Sequence, residues 1–247
     1  MTSAIRDLRK LWSPANAAEP QERDNATWRG QVAQTEAEAL RWRGRPIDLI
    51  LFGDSIVHGW TQPKMGRVAW AESLQEHAIA LGVPGDETQH MLARIHRGVL
   101  KGLEPKTILL VVGANHVLRP NAADEFVSGV TAVHEAVRHD LPTVSMRLLL
   151  VPHGWALDVI DSFAAEADRL PIPLVYPRAA FVDARTGAVQ RGLLRDDIHP
   201  TPEGYSRLTH AVSSAVGIPT RSKPLQSIWY RATDDVARIF ARINRPK

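Results

Sequence analysis

The fold is decided by residues 47–55, which read Ile-Asp-Leu-Ile-Leu-Phe-Gly-Asp-Ser. Residues 47–52 are mostly apolar and do not alternate between polar and apolar side chains, a pattern typical of a strand covered on both faces of a parallel sheet. Gly53 then permits a tight turn. Ser55 is therefore predicted to lie at the carboxyl end of the strand, where open α/β sheets bind their ligands.

Similar apolar runs recur at residues 78–81, 107–112, 144–151 and 172–176. Residues 122–139, 155–170 and 202–216 are predicted to form helices, the first of them because Phe126, Val130, Val133 and Val137 recur at helical spacing. Strands that alternate with helices indicate βαβ units. The sequence thus predicts an α/β fold of three layers, with a doubly wound, mostly parallel, five-stranded sheet of the flavodoxin-like kind.

The composition of the 247 residues is that of an ordinary globular protein, with 44% hydrophobic and 23% charged residues. Cysteine is absent, which excludes disulfides, thiolate metal sites and a cysteine nucleophile. A net charge of +3 gives no argument for a nucleic-acid partner. Charged residues interrupt any signal-peptide core near the N-terminus, and no apolar run is long enough to cross a bilayer. We therefore expect a soluble, cytoplasmic protein.

Three segments are predicted along the chain: a helical extension at residues 1–45, a catalytic core at 46–217 and a basic amphipathic extension at 218–247. The last segment carries seven Lys and Arg but only two Asp from Arg221 onwards, beside an apolar face that includes Ile239 and Phe240. Such a helix can dock on its own domain or on a second subunit as a homodimer, or it can lie on an anionic membrane. We favour docking, because one cationic helix is weak support for membrane binding.

Two motifs suggest nucleophilic chemistry. Ser55 follows the first strand, and His199 lies in Asp196-Asp197-Ile198-His199-Pro200. An Asp three residues before a His can fold back onto Nδ1, which leaves Nε2 free to act as a base. Taken singly, each motif more often marks a capping serine or a surface histidine.

Gly85 and Asn115 follow two further apolar runs. If the strand order is 2-1-3, as in flavodoxin-like sheets, these residues and Ser55 lie at adjacent strand ends. A glycine N–H and an asparagine amide can both donate to a developing oxyanion. A nucleophile, a base with its orienting acid, and two donors are the parts that acyl transfer requires.

These motifs, in this order, resemble the four sequence blocks of the SGNH (GDSL-type) hydrolases. The blocks are Gly53-Asp54-Ser55, residues 82–88, Gly113-Ala114-Asn115 and residues 196–205. Residues 85–115 are most similar to the catalytic subunits of platelet-activating-factor acetylhydrolase. Residues 53–60 and 181–205 are more similar to bacterial GDSL esterases.

The resemblance implies that Ser55 is the nucleophile, His199 the general base and Asp196 the acid that orients it. The N–H groups of Ser55 and Gly85, with the Asn115 amide, would form the oxyanion hole. The resemblance implies a serine esterase that hydrolyses short-chain acyl esters, most of all acetyl esters, through an acyl-enzyme intermediate. Its expected partner is a small-molecule ester, and no metal or cofactor is expected. The alternatives are a lysophospholipase or thioesterase, and a non-catalytic binding protein on the same scaffold.

Four neighbouring residues are candidates for substrate contact: Asp54, His58, Trp60 and His116. We expect Trp60 to line the pocket rather than the core, and His116 either to contact substrate or to point to solvent. The family often has Gly or Ser where this chain has Pro84, so we expect a stiffer Gly85 loop.

Overall fold

The computed structural model describes residues 16–119 and 121–219. Its sheet has five strands in the order β2-β1-β3-β4-β5, and all neighbouring pairs are parallel. The strands are β1 (Pro46–Gly53), β2 (Ala78–Gly82), β3 (Glu104–Val111), β4 (Ser145–Leu149) and β5 (Leu174–Val175). The predicted α/β fold with a doubly wound sheet is confirmed, and the sheet is entirely parallel within the described residues.

Helices cover both faces of this sheet. They are α1 (Ala26–Trp42), α2 (Ser55–Trp60), α3 (Arg67–Ser73), α4 (Thr88–His96), α5 (Ala122–Asp140), α6 (Leu157–Ala165), α7 (Arg178–Phe181) and α8 (Pro202–Val216), with short 3-10 turns at His116–Leu118 and Ala167–Arg169. The core accordingly has two parts. Ile50 and Phe52 pack on the side of α4, α5 and α6, whereas Leu49 and Leu51 pack on the side of α2, α3 and α8. Burial on both faces explains why β1 lacks polar alternation.

The end of β1 differs in one respect from the prediction. Gly53 does not have a positive φ. A Cβ built on it would lie 2.0 Å from the carbonyl oxygen of Val111. Glycine is therefore needed here for the close approach of β3, not for a tight turn. The turn into α2 is instead made by Asp54, whose carboxylate caps the helix by accepting from the Ile56 N–H at 2.8 Å.

The described part of the N-terminal extension contains α1. Trp28 and Val32 of this helix are buried against Val83, directly after β2. The division into residues 1–45, 46–217 and 218–247 stays a prediction, and residues 220–247, with nearly all of the basic extension, lie outside the described residues. Within residues 16–119 and 121–219, no helix is both long enough and apolar enough to traverse a bilayer.

We predict that Leu110→Ala destabilises the protein by about 2–5 kcal/mol, because this β3 side chain is fully buried and its loss leaves a cavity. Val68→Ala is the matched control, since Val68 is 62% exposed and its substitution should change stability by less than about 0.5 kcal/mol. Urea unfolding at 25 °C measures both. Equal effects of the two substitutions would contradict the assigned core.

Candidate active site

The structure brings together the three residues predicted to carry the chemistry. Ser55 Oγ lies 2.9 Å from Nε2 of His199, although the two residues are 144 positions apart in the chain. Nδ1 of His199 lies 2.9 Å from Oδ2 and 3.0 Å from Oδ1 of Asp196. A hydroxyl, an imidazole and a carboxylate are therefore in hydrogen-bonding sequence, which is the geometry of a nucleophile with its base and orienting acid.

Asp196 is held by its own loop. Its Oδ1 accepts from the backbone N–H of His199 at 2.8 Å and more weakly from that of Ile198 at 3.3 Å. Although partial burial raises the pKa of Asp196, these N–H groups and the His199 ring outweigh that effect and lower it to about 2. Asp197 instead has a φ of +63°, and its carbonyl accepts from the Gly154 N–H at 2.7 Å. The geometry thus favours Asp196 over Asp197 as partner of the histidine.

Two buried contacts explain why Ser55 and His199 meet. Helix α8 begins three residues after the histidine, and its Tyr205 hydroxyl donates to the Ile56 carbonyl oxygen at 3.0 Å. Nε1 of Trp60, at the end of α2, donates to the Thr209 hydroxyl at 2.8 Å. Helix α2, which begins at Ser55, is therefore bound to helix α8, which begins three residues after His199.

The predicted oxyanion donors also converge. The Asn115 side-chain amide donates to the Asp86 carbonyl oxygen at 2.9 Å and lies 3.4 Å from Oδ2 of Asp54, the residue before the nucleophile. Gly85 precedes Asp86, and within the described residues no acceptor takes its N–H. The Ser55 N–H is in the first turn of α2, where no intrahelical acceptor exists. The N–H groups of Ser55 and Gly85 are therefore available to a substrate oxygen, whereas the Asn115 amide would have to release its longer contact, with Asp54, to donate to one.

Behind these donors lies an ion pair that is completely buried. Nη1 of Arg94, on α4, lies 2.9 Å from Oδ2 of Asp86. The same guanidinium donates to the carbonyl oxygens of Gly53 at 3.2 Å and Leu81 at 2.7 Å. It also sits 4.6 Å from the ring centroid of Phe52. Arg94 therefore connects the ends of β1 and β2 to the Gly85 loop.

Three of the four predicted substrate contacts are wrong, because the structure buries their side chains completely. Asp54 is a helix cap, and Trp60 is a core residue that meets Tyr205 edge-on. His116 packs edge-on against Phe126 and lies 3.1 Å from the Thr88 hydroxyl. It neither faces substrate nor points to solvent.

His58 remains a candidate for substrate contact, since it is only half-buried on α2, and burial lowers its pKa. His153 and Trp155, which follow β4, lie close to the loop that carries His199. His153 is fully buried, and burial, followed by the charge of His199, lowers its pKa to about 4. The Trp155 ring packs edge-on against His153 and is 41% exposed.

Sequence reasoning missed the contacts that support the site. Trp28 of α1 donates from Nε1 to Oδ1 of Asp86 at 2.8 Å, and Arg23 donates from Nη1 to the Pro84 carbonyl oxygen at 3.1 Å. Their partners are about sixty residues away, so no local spacing signals them. The spacing of Trp28 and Val32, four residues apart on one face of this helix, was the available signal.

Residues 51–207 match the model of the GDSL-like lipase/acylhydrolase family. Among curated proteins, the platelet-activating factor acetylhydrolase IB subunit alpha1 of Rattus norvegicus is 27% identical over 176 residues. The aligned part is 68% of this chain and 74% of that protein. The match therefore extends over most of both chains.

Solved structures show the same fold. A GDSL-like lipase from Bacteroides thetaiotaomicron superposes with a TM-score of 0.57 at 18% identity, covering 75% of this chain and 97% of the other. A catalytic mutant of an acetylxylan esterase from Geobacillus stearothermophilus superposes with a TM-score of 0.54 at 17% identity, covering 72% and 97%. With its four motifs in order and the family model matched over residues 51–207, the chain belongs to the GDSL-like lipase/acylhydrolase family.

Proposed function

We propose that this protein is a serine esterase in which Ser55 is the nucleophile, His199 the general base and Asp196 its orienting acid. The observation that carries the proposal is the 2.9 Å approach of Ser55 Oγ to Nε2 of His199. A serine hydroxyl is a weak nucleophile until an adjacent base can take its proton. Here the base is present and is held by the carboxylate of Asp196 on its other side.

The reaction has two steps. In the first, His199 takes the Ser55 proton as the oxygen attacks the ester carbonyl, and the resulting oxyanion accepts hydrogen bonds from Ser55, Gly85 and Asn115. The C–O bond then breaks, and the histidine returns the proton to the departing alcohol. In the second step the same base deprotonates a water, which hydrolyses the acyl-enzyme and regenerates the serine. The Asp196 carboxylate stays ionised in both steps and stabilises the imidazolium that forms when His199 takes a proton.

We favour esters of short acyl groups as substrates, and acetyl esters above all. The rat relative is named an acetylhydrolase, and the Geobacillus stearothermophilus structure is that of an acetylxylan esterase. A lysophospholipase or thioesterase remains the alternative within the same chemistry, because acyl-chain length does not alter the two-step mechanism.

We predict that the protein hydrolyses p-nitrophenyl acetate and that Ser55→Ala abolishes this activity without unfolding the chain. A fluorophosphonate probe should label the wild-type protein and fail to label the variant, because the phosphorus is attacked by the serine oxygen. Circular dichroism checks that the variant is folded. Equal hydrolysis by wild type and Ser55→Ala would remove Ser55 from the mechanism.

A panel of p-nitrophenyl esters from acetate to palmitate separates the substrate classes. Activity that falls as the acyl chain lengthens supports the short-chain esterase. A maximum at long chains supports the lysophospholipase alternative instead. Labelling of Ser55 without turnover of any ester would favour a binding protein.

A second prediction compares two adjacent carboxylates. Asp196→Asn should lower kcat by about 10²–10⁴-fold, because the amide no longer stabilises the imidazolium and can present the wrong hydrogen to Nδ1. Asp197→Asn is the matched control and should change kcat little, since the hydrogen bond between Asp197 and Gly154 is made by the Asp197 backbone carbonyl and asparagine has nearly the same shape. Steady-state kinetics on p-nitrophenyl acetate measure both. Reversed effects would move the orienting role to Asp197.

The free energy of unfolding should depend on pH through the buried carboxyl group of Asp54. Burial raises the pKa of this carboxyl to about 7, the Ile56 N–H lowers it, and the charge of Asp86 adds to the increase. The folded state therefore holds a proton that the unfolded chain releases near pH 3.8. Consequently the free energy of unfolding should decrease as the pH rises from about 4 to about 7.

Asp54→Asn removes this dependence, while its amide oxygen can still cap Ile56. Relative to wild type, the variant should be more stable at pH 8 than at pH 5, as measured by urea unfolding at both values. The same stability difference at both pH values would show that Asp54 is ionised in the folded protein.

A further inference from the structure

The loop that carries Gly85 is a β-turn of defined type. The Asp86 N–H donates to the Val83 carbonyl oxygen at 3.2 Å, which closes a four-residue turn with Pro84 and Gly85 at its centre. Gly85 has a φ of +79°, and proline fixes its own φ near −65°. Together these values define a type II turn, since type I requires a negative φ at the third position and type I′ a positive φ at the second.

Type I and type II turns differ by a flip of their central peptide, here Pro84–Gly85. The described residues contain no cis peptide bond. In a trans peptide the C=O and the N–H point in opposite directions. The direction of the Pro84 carbonyl therefore decides which way the Gly85 N–H points. Glycine accepts a φ of either sign at little cost, so the residue itself does not prevent the flip.

Arg23 holds this carbonyl. Its Nη1 donates to the Pro84 oxygen at 3.1 Å, and the guanidinium covers the same side of Gly85, where an added Cβ would lie 2.4 Å from Nη1. Because the peptide is trans, the Gly85 N–H points away from Arg23. Among the described residues no acceptor takes this N–H, so it remains free for a ligand.

Residues 16–28, which we call the strap, are fixed to the start of α4 and to Asp86 independently of Arg23. The Thr88 hydroxyl donates to the Ala17 carbonyl oxygen at 2.8 Å, and the Gln21 N–H donates to the Gln89 carbonyl oxygen at 3.0 Å. Trp28 adds its bond to Asp86. Loss of the Arg23 side chain would thus leave the strap attached and would remove only the bond to the turn.

We propose that Arg23 is a positioning residue for the oxyanion hole, which holds the Pro84–Gly85 peptide so that the Gly85 N–H faces the ester carbonyl. The inference rests on the proposed esterase function. The bond to the Pro84 oxygen also polarises the peptide and strengthens its N–H as a donor. The strap lies outside residues 51–207, so the site extends beyond the family segment.

The test compares Arg23→Ala and Arg23→Lys with the control Arg29→Ala, whose guanidinium pairs with the exposed Asp24. Loss of one oxyanion donor costs about 10²–10³-fold in kcat where it has been measured. We therefore expect Arg23→Ala to lower kcat at least tenfold with little change in KM, and Arg23→Lys to lose less. Guanidinium ion, added well below denaturing concentrations, should restore part of the Arg23→Ala activity. Arg29→Ala should behave as wild type.

Wild-type kcat in Arg23→Ala would overturn the inference, and so would a loss that guanidinium ion does not rescue. A crystal structure of Arg23→Ala gives a readout that does not depend on activity. We expect the turn to populate type I, with a negative φ at Gly85, and an unchanged type II turn would overturn the inference. If the wild-type protein neither hydrolyses esters nor reacts with fluorophosphonate, the proposed function fails, and the structure of the variant still decides the role of Arg23.

Discussion

The site depends on the buried pair of Arg94 and Asp86. Removing two charges from water is costly, and the cost is offset only when geometry and additional hydrogen bonds are good. Here the guanidinium also reaches the Gly53 and Leu81 carbonyl oxygens, and the carboxylate accepts from Trp28. One ion pair therefore fixes the distance between the strand end that precedes Ser55 and the loop that carries Gly85. Helix α1 completes the arrangement from outside the matched family segment.

A second set of contacts brings His199 to the same point. The interface between α2 and α8 is closed by Tyr205, Trp60 and Thr209, so the position of His199 follows from packing between helices rather than from the sheet. The loop that carries Asp196 and His199 is held by contacts between its own residues, because the Asp196 carboxylate accepts from both the ring and the backbone N–H of His199. The proposed catalytic arrangement thus has two parts, one positioned by the sheet and the other by packing between helices.

Local sequence patterns were sufficient for the sheet and for the central residues of the site. Apolar runs revealed the strands, and the three-residue spacing of Asp196 and His199 revealed a pair that bond directly. Burial of Trp60 was not predictable, because it bonds to Thr209, which lies 149 residues later. His116 is buried against Phe126 and Thr88, and neither contact follows from a local spacing. The contacts of Arg23 and Trp28 were not predictable either, because their partners lie in a turn about sixty residues later. Contacts across such distances leave no periodic trace in one sequence.

The central claim is that separate loops direct one nucleophile and three donors at a single carbonyl group. A crystal structure of the wild-type protein after reaction with a fluorophosphonate measures this directly. We expect a covalent bond from Ser55 Oγ to phosphorus, with the phosphoryl oxygen about 2.7–3.1 Å from the N–H groups of Ser55 and Gly85 and from the Asn115 amide. An adduct on another residue, or a phosphoryl oxygen that points away from these donors, would contradict it.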